Sequence, residues 1–362
     1  MNMEVYRHNH LKDKIIKIRG GNIMKKGVVA FAVCLVLCIG LVPEFSYAAE
    51  KVFKLEFSSF VSPQSKSTKL MDEWCRDIEK RTNGQVKITQ HPGSTLTDQN
   101  QTYDSVVDGI VDIGFSATSY NPGKFPQMEA LELPYGLKTA TALAKMANDY
   151  YAKFQPKEFK DTKVLFFTAV AGASFHTKKP IRKLEDLAGM KIRCPGGPNV
   201  TWIKSIGAVP VVLPTGDTYD ALSKGVVDGT VAAFEPLETL KWYEVVKYST
   251  HSGAAISQVR YLVMNQAKWN SLPPNLQKII TEVSAEYNEK LARLTDEVDQ
   301  GVMKNVTAKG HTVITLDPKE EQRWLAKVAP ILDDYIKEKS SKGFPAAEQV
   351  KFCREWAKPY LK

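Results

Sequence analysis

Nowhere in the 362 residues does a Gly-x-Ser-x-Gly elbow, a Walker A loop or a histidine pair at zincin spacing occur. Those gaps remove the usual signatures of acyl transfer, nucleotide hydrolysis and metal-assisted hydrolysis. Histidine itself is sparse. Beyond residue 48 there are only His91, His176, His251 and His311, none at metal-ligand spacing from another or from a cysteine, and they read as surface or hydrogen-bonded side chains. Of the five cysteines, Cys34 and Cys38 fall in an apolar N-terminal run, leaving Cys75, Cys194 and Cys353. An odd number without C-x-x-C spacing signals neither a zinc site nor a disulfide framework, although one pair stays open to oxidation. Cys194 is the single candidate nucleophile, because Arg193 beside it and the glycine-rich turn after it favour a thiolate. No base is supplied by its sequence neighbours, and a small buried filler is the competing reading.

Long basic runs interleaved with aromatics are also missing, which argues against nucleic acid as a partner. Seven Lys/Arg against three Asp/Glu lie in residues 1–48, so the leader holds +4 of the formal +9. That leader has a basic approach ending in Lys25 and Lys26, the apolar run Gly27 to Val42, and then "SYAA". Such an order predicts a signal peptide cleaved after Ala48 and a chain released into a bacterial periplasm. The run is shorter than the roughly 18 to 20 residues a membrane span requires, so no stable anchor is expected. Cys38 follows "LVL" rather than a small residue, which disfavours a lipoprotein. Met24, just before the two lysines, is a candidate alternative start.

What the sequence does hold is a repeat. "YDSVVDGIVDIGFSATSY" (Tyr103 to Tyr120) and "YDALSKGVVDGTVAAFEP" (Tyr219 to Pro236) share Tyr-Asp-x4-Gly-x-Val-Asp. Each predicts a helix closed by glycine (Gly109, Gly225) that leads into a short apolar strand, and each is preceded by a strand and a loop. Repetition of that unit predicts an α/β fold of two similar lobes, with ligands gathering at the carboxyl ends of strands. The expected division is 49–172 for the first lobe, 173–258 for the second, a return through 259–270, a long helix over 271–310 and C-terminal helices over 311–362. "TKVLFFTAVAG" (Thr162 to Gly172) and "QVRYLVMN" (Gln258 to Asn265) are expected to be the crossings between lobes. An apolar stripe of Ile279, Ile280, Val283, Tyr287, Leu291, Leu294 and Val298 predicts that the long helix lies across both.

The segments "EWCRDIEKRTNGQVKI", "FPQMEALELPYG", "KPIRKLEDLAGMKIRCPGG", "SIGAVPVVLPTGDTYDALSKGVVDG" and "YLVMNQAKWNSLP", in this order over Lys51 to Lys362, resemble the DctP-type solute-binding proteins of tripartite ATP-independent periplasmic (TRAP) transporters. The resemblance implies a periplasmic-binding-protein fold with a ligand cleft between its lobes and no catalysis, metal or cofactor. It further implies an organic acid as ligand and, as partners, the small and large membrane subunits of an ion-driven permease. In that family the arginine of the "G-x-K-x-R" strand end commonly clamps the carboxylate, which carries over to Arg193. A guanidinium fork matches two carboxylate oxygens, so the residue type agrees.

Members that bind sialic acid carry an earlier second arginine and an asparagine after "VDG"; an ungapped reading places Ala173 and Ala232 there. The expected ligand is therefore a small monocarboxylate with an apolar or aromatic body, with a C4-dicarboxylate as the alternative. A ligand-sensing subunit of a signalling receptor and a periplasmic enzyme stand as readings from other classes. Around Arg193 the expected contacts are Phe60, Ser116, Thr118, Thr215, Tyr219, Phe234 and Glu235. Asp112 and Asp228 are expected to pair within the repeated motif rather than to touch ligand.

Overall fold

Two sheets organise the chain. The computed structural model describes residues 51–255 and 257–360; the expected signal peptide, residues 1–48, lies outside the described residues. The strands are β1 (Phe53–Ser59), β2 (Val86–His91), β3 (Ile113–Ala117), β4 (Thr162–Val170), β5 (Ser174–Thr177), β6 (Lys191–Cys194), β7 (Val209–Val212), β8 (Gly229–Ala232), β9 (Tyr248–His251), β10 (Gln258–Asn265) and β11 (Thr312–Thr315). One sheet has the order β2-β1-β3-β10-β4 and the other β11-β9-β5-β8-β6-β7. In the first, β1 is parallel to β2 and β3, while β10 is antiparallel to β3 and β4. In the second, β6 is parallel to β7 and β8, while β5 is antiparallel to β8 and β9. Each sheet thus has a single strand running against all the others, β10 in the first and β5 in the second.

Helices cover both sheets: α1 (Lys66–Arg81), α2 (Thr102–Val107) and α3 (Ala140–Phe154), then α4 (Pro198–Ser205), α5 (Thr218–Ser223) and α6 (Glu235–Thr239), followed by α7 (Gln266–Asn270), α8 (Pro274–Ala308), α9 (Pro318–Val328), α10 (Pro330–Ser341) and α11 (Ala346–Ala357). The repeated motif makes the same local bonds in each lobe. Gly109 and Gly225 both sit at φ +73°, the left-handed region that a side chain resists. Ile110 N–H donates to Ser105 O and Val226 N–H to Ala221 O, each at 2.9 Å, closing α2 and α5 alike. Three residues on, Asp112 accepts the N–H of Glu56 and Asp228 that of Lys191, each at 2.8 Å, which fastens the turn to the neighbouring parallel strand. Asp112 and Asp228 are therefore structural pins.

Long helix α8 joins the lobes. Leu276, Ile280, Val283, Tyr287 and Leu291 pack with Leu55 and Trp74 in one core, whereas Val298, Val302 and Val306 pack with Leu222 and Trp242 in another. Its expected start at Ser271 moves to Pro274, since proline suits the first turn of a helix, where its missing N–H is no loss.

Two other expectations are corrected. β4 and β10 are not crossings but adjacent antiparallel strands of the first sheet; the chain changes lobe between β4 and β5 and again between β9 and β10. Residues 312–315 form β11, parallel to β9, before the last helices begin. Gly310 at φ +89° ends α8 there, and the β-branched "TVIT" favours a strand.

Candidate functional site

β6 runs between β7 and β8 and ends in Pro195, Gly196 and Gly197. A Cβ on Gly196 would lie 3.0 Å from Ser119 O and 3.3 Å from Pro122 Cγ, so glycine is what lets the two lobes approach here. Just before that turn, Arg193 is only 2% exposed. Its Nε donates to Leu213 O at 2.9 Å and its Nη2 to Thr215 Oγ1 at 3.1 Å. Among the described residues no carboxylate forms an ion pair with it. Burial pulls its pKa down, opposed by Tyr120 and Cys194 and by Asp217 at longer range, yet a guanidinium stays charged at neutral pH. The outcome is a fixed cation whose hydrogen bonds orient it without neutralising it.

That cation borders a cavity of about 650 Å³ whose walls come from both lobes. Phe60 stacks on Phe115 at 5.9 Å between centroids and meets Tyr120 edge-on at 5.2 Å, giving the first lobe an aromatic wall. Ala173 and Ala232 add small apolar surfaces to the lining. Trp242 borders the cavity too, with an indole Nε1 that has no partner among the described residues. Three hydrogen bonds connect the lobes around the cavity. Tyr120 Oη lies 3.0 Å from Thr215 Oγ1, Thr215 N–H points to Gln99 Oε1 at 3.4 Å, and Ser65 Oγ donates to Glu235. Asp299 of α8 accepts the N–H groups of Phe234 and Glu235, both at 3.1 Å, and burial pushes its carboxyl up to about 7.

Of the expected contacts, Arg193, Thr215, Phe60 and Glu235 come together on this cavity. Phe234, Tyr219, Ser116 and Thr118 do not, and each is occupied elsewhere. Phe234 packs edge-on against His176 at 5.2 Å in the core of the second lobe. Tyr219 donates its hydroxyl to Glu244 at 2.8 Å. Ser116 Oγ donates to Gln99 O at 2.9 Å from inside the first sheet. Thr118 donates to Glu132 Oε1 at 2.8 Å, and the same carboxylate accepts Val259 N–H at 2.9 Å. Burial drives Glu132 up to about 8.

Sequence reasoning did not single out Tyr120, Gln99, Ser65 or Arg260, all of which line the cavity. For Arg260 a signal existed: it is the only charged residue in the largely apolar strand "QVRYLVMN". Cys194 is fully buried, and that burial raises its thiol pKa against the opposing pull of Arg193, so the thiolate is disfavoured. Cys75, Cys194 and Cys353 are all free thiols. Among the described residues no group of three or more His, Cys, Asp or Glu is arranged to hold a metal ion, and no helix is long and apolar enough to cross a membrane.

Residues 57–339 match the profile of the bacterial extracellular solute-binding proteins, family 7, also named DctP. A TRAP solute-binding protein from Rhodoferax ferrireducens, solved with copurified benzoate, is 29% identical; the alignment covers 85% of this chain and 98% of that one at a TM-score of 0.81. A marine metagenome TRAP protein specific for aromatic acid ligands, solved with 3-hydroxybenzoate, is also 29% identical, with 86% and 100% covered and a TM-score of 0.81. The C4-dicarboxylate-binding periplasmic protein DctP of Rhodobacter capsulatus is 25% identical over 77% of this chain and 85% of its own length.

Proposed function

The chain belongs to the DctP family of TRAP solute-binding proteins, and from that membership we propose that it captures an organic acid between its lobes and presents it to a TRAP permease. One observation carries the reading: Arg193 is buried on the wall of a 650 Å³ cavity, with no acidic partner among the described residues, at the end of an interior strand of the second sheet. An unpaired buried cation is costly to keep unless something pairs with it. A carboxylate entering the cavity meets the guanidinium fork, and each charge-assisted bond is worth roughly 1.5 to 3 kcal/mol. Two such bonds supply a large share of the roughly 8 kcal/mol behind micromolar binding.

The same cavity also has an aromatic and aliphatic lining, formed by Phe60, Val170, Ala173 and Ala232. It suits a small acid with an apolar or aromatic body, in keeping with the benzoate and 3-hydroxybenzoate held by the two similar proteins. A C4-dicarboxylate is the second reading, favoured by the likeness to the Rhodobacter protein. A thermal-shift screen of aromatic, aliphatic and dicarboxylic acids tests both, because a ligand at about 100 times its Kd adds roughly 2.7 kcal/mol to the folded state. Calorimetry on Arg193→Ala and Arg193→Lys with the best acid completes the test. Both variants are expected to lose affinity, lysine because an ammonium does not reproduce the fork. Absence of stabilisation by any acid, or wild-type affinity in Arg193→Ala, would remove the clamp.

A further inference from the structure

A second guanidinium borders the same cavity from the other lobe. Arg260 lies on β10 in register with Ala117 of β3 and Thr168 of β4, so it belongs to the first sheet, whereas Arg193 belongs to the second. Like Arg193 it is held through its Nε, although it is only partly buried where Arg193 is 2% exposed. Arg260 Nε is held by Gln258 Oε1 at 3.2 Å, and Gln258 is itself fixed through Nε2 to Ser119 Oγ at 3.1 Å. The guanidinium carbon sits 5.2 Å from the centroid of the Phe60 ring, within cation–π reach. Among the described residues no carboxylate forms an ion pair with Arg260, and no hydrogen bond involves its two Nη groups.

A continuous set of contacts connects the cations: Arg260 on Phe60, Phe60 on Tyr120, Tyr120 to Thr215, and Thr215 to Arg193 Nη2. Carboxylates that share the cavity have other work. Glu235 accepts from Ser65, Asp299 accepts the N–H groups of Phe234 and Glu235, and Asp98 and Asp217 are solvent-exposed. Asp299 feels Arg260 only from beyond ion-pair distance.

We propose that Arg260 is a ligand-contacting specificity residue, which takes an oxygen acceptor on the body of the acid whose carboxylate Arg193 clamps. The inference rests on the carboxylate reading of Arg193 and narrows the ligand to acids with two separated acceptors. Two oriented, unpaired guanidinium groups, one on each lobe, also make a two-ended ligand a bridge that draws the lobes together. An acid with a bare hydrocarbon body leaves the Nη groups of Arg260 unpaired as the cleft closes, which penalises it.

Calorimetry with two matched probe pairs tests this: benzoate against 3-hydroxybenzoate, and butyrate against succinate. Wild type is expected to prefer the second member of whichever pair binds, by about tenfold or more. Arg260→Met keeps the stem over Phe60 and removes the fork. It is expected to bring that ratio close to one while the first member's affinity stays within about threefold. Arg193→Met is expected to weaken both members together. A ratio that survives Arg260→Met, or an equal loss for both members with Arg260→Lys failing to restore the ratio in part, overturns the proposal. Should no acid of the thermal-shift screen bind wild type, the carboxylate reading itself falls and this inference with it.

Discussion

Replacing Arg193 by methionine separates a binding role from a structural one, because the two predict opposite effects on stability. In the ligand-free protein the substitution removes a cation that is 2% exposed and lacks an ion-pair partner. Relief of that desolvation is worth several kcal/mol. Against it, Leu213 O loses its donor, at about 1 to 3 kcal/mol, whereas Thr215 Oγ1 keeps Tyr120 Oη as a partner. The net expectation is ligand-free stability unchanged or raised by up to about 3 kcal/mol. With ligand present the sign reverses. Two charge-assisted bonds are lost and the carboxylate is left buried without a counter-charge, a penalty of about 3 to 5 kcal/mol. That is two to nearly four orders of magnitude in Kd. Urea denaturation without ligand gives the first quantity, and calorimetry with the best acid of the screen gives the second. A variant that is destabilised by more than about 2 kcal/mol yet binds as wild type would identify Arg193 as a structural pin and refute the reasoning.

Three further outcomes are expected. Tyr120→Phe removes an interlobe hydrogen bond while keeping the ring under Phe60, and should weaken acid binding by about three- to tenfold, with little effect on melting of the ligand-free protein. Gly225→Ala meets no atom within 4 Å, so its cost is the left-handed backbone alone, about 1 to 2 kcal/mol by denaturant unfolding. Glu132 is held near pKa 8 by burial, against an ordinary value of 4.5, so the folded state binds its proton more tightly than the unfolded chain does. Stability from this group is complete below about pH 4.5 and is lost as pH rises through 8, by at most about 5 kcal/mol. Wild-type stability minus that of Glu132→Gln should therefore fall across this window and level off above it; a flat difference would rule the titration out.

The two-lobed plan was legible because the motif that encodes it acts locally. A glycine that must turn left-handed after a short helix, and an aspartate that reaches the next strand's N–H, are decided within a few residues, so Gly109 with Asp112 and Gly225 with Asp228 could be read in the chain. Arg193 was legible for a related reason, since a permanent charge at the end of an apolar strand asks for an unusual environment. The stripe of α8 likewise named the face that joins both cores.

Position along a strand end, by contrast, said little about which side chains front the cavity. Ser116, Thr118, Tyr219 and Phe234 all lie within the two copies of the repeat, yet each finds a partner inside its own lobe. Alternation along a strand assigns residues to two faces without saying which one meets the other lobe. That choice depends on how the sheets close on each other, through contacts such as Tyr120 with Thr215 and Ser65 with Glu235, more than ninety residues apart in both cases. Arg260 belongs to the same class: the sequence shows a charge among largely apolar neighbours on a segment expected to return to the first lobe, and only the tertiary fold decides that this charge faces the cavity that Arg193 enters from the second.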